Sequence, residues 1–173
     1  MQPSGEPPAW RRRRWLLAGL ILIGGIGVSA LAAWREEHAL LINASESLPN
    51  WAFAVNRNKA PARGDYLFFV PPPSDLVRTH FGEKPGTFGK IVQGMPGDIV
   101  EHRGADVLVG GHVVARMKKV TRRGEKLVPG PVGRIPEGCY FVATPHPDGF
   151  DSRYAAIGFV CRPQILGTGE AVL

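Results

Sequence analysis

The sequence predicts a mainly β domain carried behind a single N-terminal transmembrane helix. Three observations carry that prediction. One apolar span near the start holds no charge, the later apolar runs are only two to five residues long, and turn-forming residues separate those runs. The 22 glycines and 16 prolines are spread along the chain rather than gathered into one linker. Short runs bounded by such residues indicate strands.

Residues 1–14 are proline-rich and then arginine-rich, and read as a disordered basic tail. Residues 15–34, WLLAGLILIGGIGVSALAAW, form the span. Twenty residues at about 1.5 Å each reach about 30 Å, the thickness of a bilayer core. Trp15 and Trp34 stand at its two ends, where indoles favour the membrane interface, and Arg11 to Arg14 precede it. Those arginines predict a cytoplasmic N-terminus and an extracytoplasmic domain over residues 35–173, which in a bacterium means the inner membrane and the periplasm. Ala30-Leu31-Ala32 leaves a second reading open, a signal peptide cleaved after small residues.

Residues 35–41 are expected to continue the helix as a collar, after which helical signals fade. Strands are expected at Tyr66–Val70, Ile91–Val92, Ile99–Val100, Val107–Val109, Val113–Val114, Cys139–Ala143 and Ile157–Cys161. Gly110-Gly111 lies between two of them and predicts a hairpin. Pro71-Pro72-Pro73 ends a strand, because proline cannot donate to a ladder. Residues 118–126 are basic and turn-rich, and read as a solvated loop. Cys139 and Cys161 both fall in the exported part. An oxidising compartment permits a disulfide between them; two buried thiols in adjacent strands are the alternative.

Net charge is +6, but Arg11 to Arg14 and Glu6 lie before residue 15, so the rest of the chain carries +3. Without a dense basic stripe interleaved with aromatics, nucleic-acid binding is not expected. His38, His80, His102, His112 and His146 lack ligand spacing, so neither a metal nor another cofactor is expected. The sequence leaves the oligomeric state open.

Three islands carry the chemistry. Ser45-Glu46-Ser47-Leu48-Pro49 follows the span. A serine hydroxyl becomes a nucleophile only when a base takes its proton. Leu48-Pro49 favours extended backbone before the proline, and Ser45 and Ser47 would then share a face, with Ser45 able to donate to an oxyanion. A polar linker after a membrane helix would look the same. Lys90 heads Ile91-Val92, ahead of Gly94-Met95-Pro96-Gly97-Asp98. Burial can lower a lysine's pKa far enough for it to act as a base; an edge-strand lysine lying along the sheet is the alternative. In Phe150-Asp151-Ser152-Arg153-Tyr154, Asp151 either orients the lysine or forms a structural ion pair with Arg153.

In this order the islands, together with Arg63-Gly64-Asp65-Tyr66-Leu67-Phe68-Phe69, resemble the boxes of the signal peptidase I superfamily over about residues 40–165. Within it the chain is most similar to the TraF-type conjugative-transfer peptidases, because His146-Pro147-Asp148-Gly149-Phe150 stands where ordinary signal peptidases carry a Gly-Asp-Asn motif. The resemblance implies a fold of coiled antiparallel sheets, with Ser47 as nucleophile, Lys90 as general base and Asp151 in the third catalytic role. Ser45, Ser152 and Arg153 would support the oxyanion and the site. It also implies a membrane-anchored serine endopeptidase that processes an exported protein, a conjugative pilin precursor, by maturation or cyclisation. A general signal peptidase removing export signals and a catalytically inactive anchored scaffold of an envelope secretion complex are the alternatives. Three departures are evident: Asn50-Trp51-Ala52 replaces a nearby glycine, Ile91 replaces a common arginine, and Ala155-Ala156 replaces a bulky aromatic.

Overall fold

The computed structural model describes residues 9–43 and 48–172, in two units, residues 1–38 and residues 39–173. The first unit is dominated by helix α1, Ala9–Glu37. It is apolar and long enough to cross a membrane. Arg11 to Arg14 lie on its first turns rather than in a disordered tail, since arginine is a good helix former and an adjoining apolar helix supplies the nucleus. Residues 1–8 lie outside the described part. Of the expected collar over residues 35–41 only Arg35–Glu37 is helical: α1 stops there, and β1 (His38–Ile42) begins at once.

The second unit is built of antiparallel strands. In chain order these are β2 (Ala52–Asn56), β3 (Tyr66–Phe69), β4 (Phe88–Gly94), β5 (Ile99–Arg103), β6 (Asp106–Val109), β7 (His112–Arg116), β8 (Gly133–Arg134), β9 (Cys139–Ala143), β10 (Val160–Cys161) and β11 (Ile165–Ala171). They form a seven-stranded sheet in the order β1-β2-β11-β3-β4-β9-β10 and a four-stranded sheet in the order β7-β6-β5-β8. Register shifts in the β3–β11 and β4–β9 pairings mark irregularities that let the large sheet curl. The expectation of a mainly β fold with curled antiparallel sheets is met.

Gly110 and Gly111, with φ 57° and 81°, make the turn between β6 and β7. Positive φ at both central residues is the type I′ geometry that matches the twist of a hairpin, and glycine adopts it without steric cost. One helix was not expected. Helix α2 (Asp75–Phe81) follows the three prolines; Ser74 caps it by accepting from Val77 N–H, and Val77 is buried. Of the expected run Ile157–Cys161, only Val160–Cys161 is strand.

Alternation along β4 positions the site. Lys90, Val92 and Gly94 are buried, while the residues between them are partly exposed. Val92 belongs to a core with Leu67, Phe69, Val142 and Val160. A second core lies about Val100, Val107, Ile135 and Phe141, and a third joins Leu48, Phe53, Val55 and Phe68. Cys139 and Cys161 stand opposite each other in the β9–β10 register and are joined as a disulfide.

Candidate active site

Lys90 is carried on β4 and is only 6% exposed. Its Nζ lies 5.9 Å from the centre of the Phe88 ring. Burial pushes its pKa below the usual 10.5; Asp151 nearby opposes that shift, and Arg153 adds to it. Desolvation is the largest influence, so the environment favours a neutral amine.

The neighbouring strand β9 leads to the charged floor of the site. Ile91 pairs with Ala143 and Val92 with Val142. Beyond Ala143, Thr144 donates its N–H to Asp151 Oδ2 at 3.1 Å. Asp151 and Arg153 form a fully buried two-pronged ion pair: Nε to Oδ1 at 2.7 Å and Nη2 to Oδ2 at 2.9 Å. The remaining guanidinium protons reach Thr144 O at 2.6 Å and Arg116 O at 3.1 Å. Such a pair is tolerable in a dry interior only when its hydrogen-bonding capacity is nearly filled, as here. The structural ion pair considered for Asp151 is therefore formed, and the same carboxylate acts electrostatically on Lys90. Ser152 faces elsewhere: its Oγ accepts from Val142 N–H at 3.0 Å and its N–H donates to Val142 O at 3.0 Å. It fastens this loop to β9 rather than presenting a hydroxyl to a substrate.

Ser45 and Ser47 lie outside the described residues. The segments on either side of them are well held. Leu48 is 5% exposed and packs with Phe53, Val55 and Phe68. A Cβ added to Gly89, the residue before Lys90, would come within 3.0 Å of Leu48 Cδ1, so Leu48 lies directly against this part of β4. The Asn43 amide donates to Leu48 O at 3.1 Å and to Asn50 O at 2.9 Å, closing the loop across residues 43–50.

A cleft of about 1000 Å³ opens over Lys90. Leu48, Phe68, Phe81, Phe88, Phe150 and Tyr154 line its apolar part. The expected solvated loop, residues 118–126, is largely exposed, and Lys118, Val120, Thr121 and Arg122 from it line one side of the cleft. Lys118 and Arg122 both bind Asp148, whose pKa is thereby lowered to about 2, the Lys118 hydrogen bond first and that of Arg122 second. The Tyr154 hydroxyl accepts from Lys118 N–H at 2.9 Å, which ties the start of this wall to the third island.

Sequence reasoning missed two contributors. Gly149 is one: a Cβ there would stand 2.7 Å from Thr144 Oγ1, 2.7 Å from Arg153 Nη2 and 2.8 Å from Asp151 Oδ2. Only glycine fits over the buried pair. Thr144 is the other, and its place just before Pro145 was a readable sign of backbone held extended.

The sequence pattern of the signal peptidase, peptidase S26, family matches residues 12–173. The chain belongs to that family. A curated relative, the conjugal transfer protein TraF of Agrobacterium fabrum, is 27% identical over 168 residues, which is 90% of this chain and 91% of that protein. A solved signal peptidase I from Enterococcus faecalis is 24% identical, covering 64% of this chain and 97% of its own, with a TM-score of 0.39. Membership of the peptidase S26 family implies a serine peptidase acting on a protein substrate. The buried lysine beside an apolar cleft is a physically suitable setting for that chemistry.

Proposed function

We propose that the chain is a membrane-anchored serine endopeptidase in which Ser47 is the nucleophile and Lys90 the general base. The observation that carries this reading is the desolvated Lys90 amine, set in a cleft where Leu48, the residue after Ser47, packs against Gly89, the residue before Lys90. Neutral Lys90 takes the Ser47 proton as Oγ attacks the scissile carbonyl. The backbone N–H of Ser47 and the Ser45 hydroxyl stabilise the oxyanion. The protonated lysine then gives its proton to the leaving amine. Asp151, held by Arg153, tempers the desolvation of the ammonium formed on the way.

The substrate is an exported, membrane-associated protein, and the kinship with TraF favours a conjugative pilin precursor. Water resolving the acyl-enzyme gives maturation; the substrate's own N-terminus gives a cyclic product. Ser47 follows Trp34 by thirteen residues, a reach of at most about 47 Å. Tethering therefore favours a membrane-bound partner, with the N-terminus cytoplasmic and residues 35–173 in the periplasm of a bacterial inner membrane.

Mass spectrometry of the pilin precursor incubated with the full chain in membranes tests the reading. The native enzyme yields a shortened or cyclised product. Ser47→Ala, Lys90→Ala and Lys90→Arg should each lose on the order of 10⁴-fold or more, because nucleophile and base act as one unit and guanidinium stays charged. Near-native turnover by Ser47→Ala would overturn the assignment of the nucleophile, and absence of any product from the native chain would favour the inactive scaffold.

A further inference from the structure

The Thr144 hydroxyl stands out once the site is mapped. Thr144 is 1% exposed, and its Oγ1 is buried with no hydrogen-bond partner among the described residues. The other polar groups of this residue are committed: its N–H to Asp151 Oδ2 and its carbonyl to Arg153 Nη2. Buried hydroxyls are ordinarily satisfied, so one left over beside the Asp151–Arg153 pair calls for an explanation.

Register identifies that partner. The β4–β9 pairs Val92–Val142 and Ile91–Ala143, continued by one residue, bring Lys90 opposite Thr144. Directly opposed residues of antiparallel strands carry their side chains on the same face, with Cβ atoms about 4.5–5.5 Å apart. Burial agrees, since Lys90 and Thr144 are both turned inward. Gly149 keeps the space around the hydroxyl open, because any Cβ there would crowd Oγ1 at 2.7 Å. The groups acting on the amine are Asp151 and Arg153, with the Phe88 ring 5.9 Å away, and each Asp151 oxygen already accepts two N–H groups, from the Arg153 side chain and backbone and from Thr144 N–H. Among the described residues, Thr144 Oγ1 is thus a buried side-chain acceptor on this floor that is not already engaged.

We infer that Thr144 is a positioning residue: its Oγ1 accepts an N–H of Lys90 and thereby aims the nitrogen lone pair at the Ser47 hydroxyl. The inference rests on the reading of Lys90 as the general base. Thr144 does not touch the substrate; it acts through Lys90. An aliphatic amine at the end of four rotatable bonds needs a second contact to hold one direction, and misplacing a reacting group by about 1 Å costs about 100-fold in rate.

The test uses the full-length enzyme in membranes with Thr144→Val, Thr144→Ser and Lys90→Ala. Thr144→Val keeps the shape and removes the hydroxyl. It should lower kcat by about 10- to 100-fold with KM unchanged, and its pH–rate limb should move to lower pH, because an acceptor for the ammonium has gone. Thr144→Ser restores the hydroxyl and should return kcat to within about threefold. A merely structural threonine predicts an unmoved pH limb and an unchanged kcat at temperatures where the variant is folded. The inference is overturned if Thr144→Val retains native kcat and pH profile while Lys90→Ala is inactive, or if Thr144→Ser is no better than Thr144→Val. If Lys90→Ala itself retains activity, the assignment of the base fails, and this inference falls with it.

Discussion

Replacing Arg153 by methionine should be among the most damaging single changes in the domain. Arg153 is 1% exposed and Asp151 is fully buried. After the change, Asp151 keeps only two backbone donors, Thr144 N–H at 3.1 Å and the N–H of residue 153 at 3.3 Å. The carbonyls of Thr144 and Arg116 also lose their guanidinium partner. Breaking a buried pair by removing one partner costs about 3–5 kcal/mol. At roughly 3–4 °C per kcal/mol for a domain of this size, the thermal midpoint should fall by about 10–20 °C. Asp151→Asn should cost a comparable amount, by stranding the guanidinium. The double variant Asp151→Asn/Arg153→Met should be more stable than the sum of the two losses by at least about 2 kcal/mol, because neither charge is then left alone. Pulse proteolysis of the full chain in micelles across a urea series measures all three. The two charges also push Lys90 in opposite directions, Asp151 upward and Arg153 downward. If Lys90 is the base, the rate limb of Arg153→Met should therefore move to higher pH and that of Asp151→Asn to lower pH. A loss below about 0.5 kcal/mol for Arg153→Met, or strictly additive single changes, would refute the view that the pair holds this floor together.

Two further predictions concern the same region. Burial lowers the Lys90 pKa below 10.5, so the folded protein holds that proton less readily than the unfolded chain. The resulting penalty is fully present below the folded pKa and is relieved as pH rises toward 10.5. Lys90→Met should then abolish processing yet raise the urea midpoint at pH 7, a gain that fades in alkaline solution; destabilisation at pH 7 would contradict the assigned cause. The disulfide joins cysteines 22 residues apart in sequence, a loop that includes Asp151. Cys139→Ala/Cys161→Ala should cost about 3 kcal/mol, read as a thermal midpoint about 10 °C lower, and an unchanged midpoint would show that the bond does not constrain the unfolded chain.

The parts of the fold that were legible in the sequence are those whose signal is local. The span before Arg35, the Gly110-Gly111 hairpin and the apolar run Cys139–Ala143 each declare themselves within a few residues, and the last coincides with β9. Strand β11 was invisible because its sequence, ILGTGEA, reads as turn. Its glycines answer to tertiary neighbours: a Cβ on Gly169 would meet Phe68 at 2.4 Å, and one on Gly167 would meet Asn56 O at 2.4 Å. Helix α2 was overlooked although Ser74-Asp75 after three prolines is a start signal; seven residues give too little periodicity to outweigh the prolines. At the site, Lys90, Asp151 and Arg153 were found through ordered motifs, each weak by itself. Thr144 and Gly149 were not, because their importance lies in what packs across from them. Residues 118–126 are the solvent-facing loop their composition indicates, but that Lys118 and Arg122 meet Asp148 at the cleft edge was not legible, because that partner is brought near only in the folded chain.

Strands β4 and β9 are direct neighbours, yet the whole four-stranded sheet is spliced between them in sequence. The two halves of the floor are therefore laid down early and late in synthesis, and the first must wait for the second. Closure of an excursion becomes only slowly more costly as it lengthens, by about 0.6 kcal/mol per doubling. Lengthening a surface turn within residues 95–138 should therefore add little to the cost of pairing β4 with β9. Lys118, Val120, Thr121 and Arg122 sit inside that same excursion and line the cleft. That side of the cleft can thus be altered by substitution without touching the strand that carries Lys90.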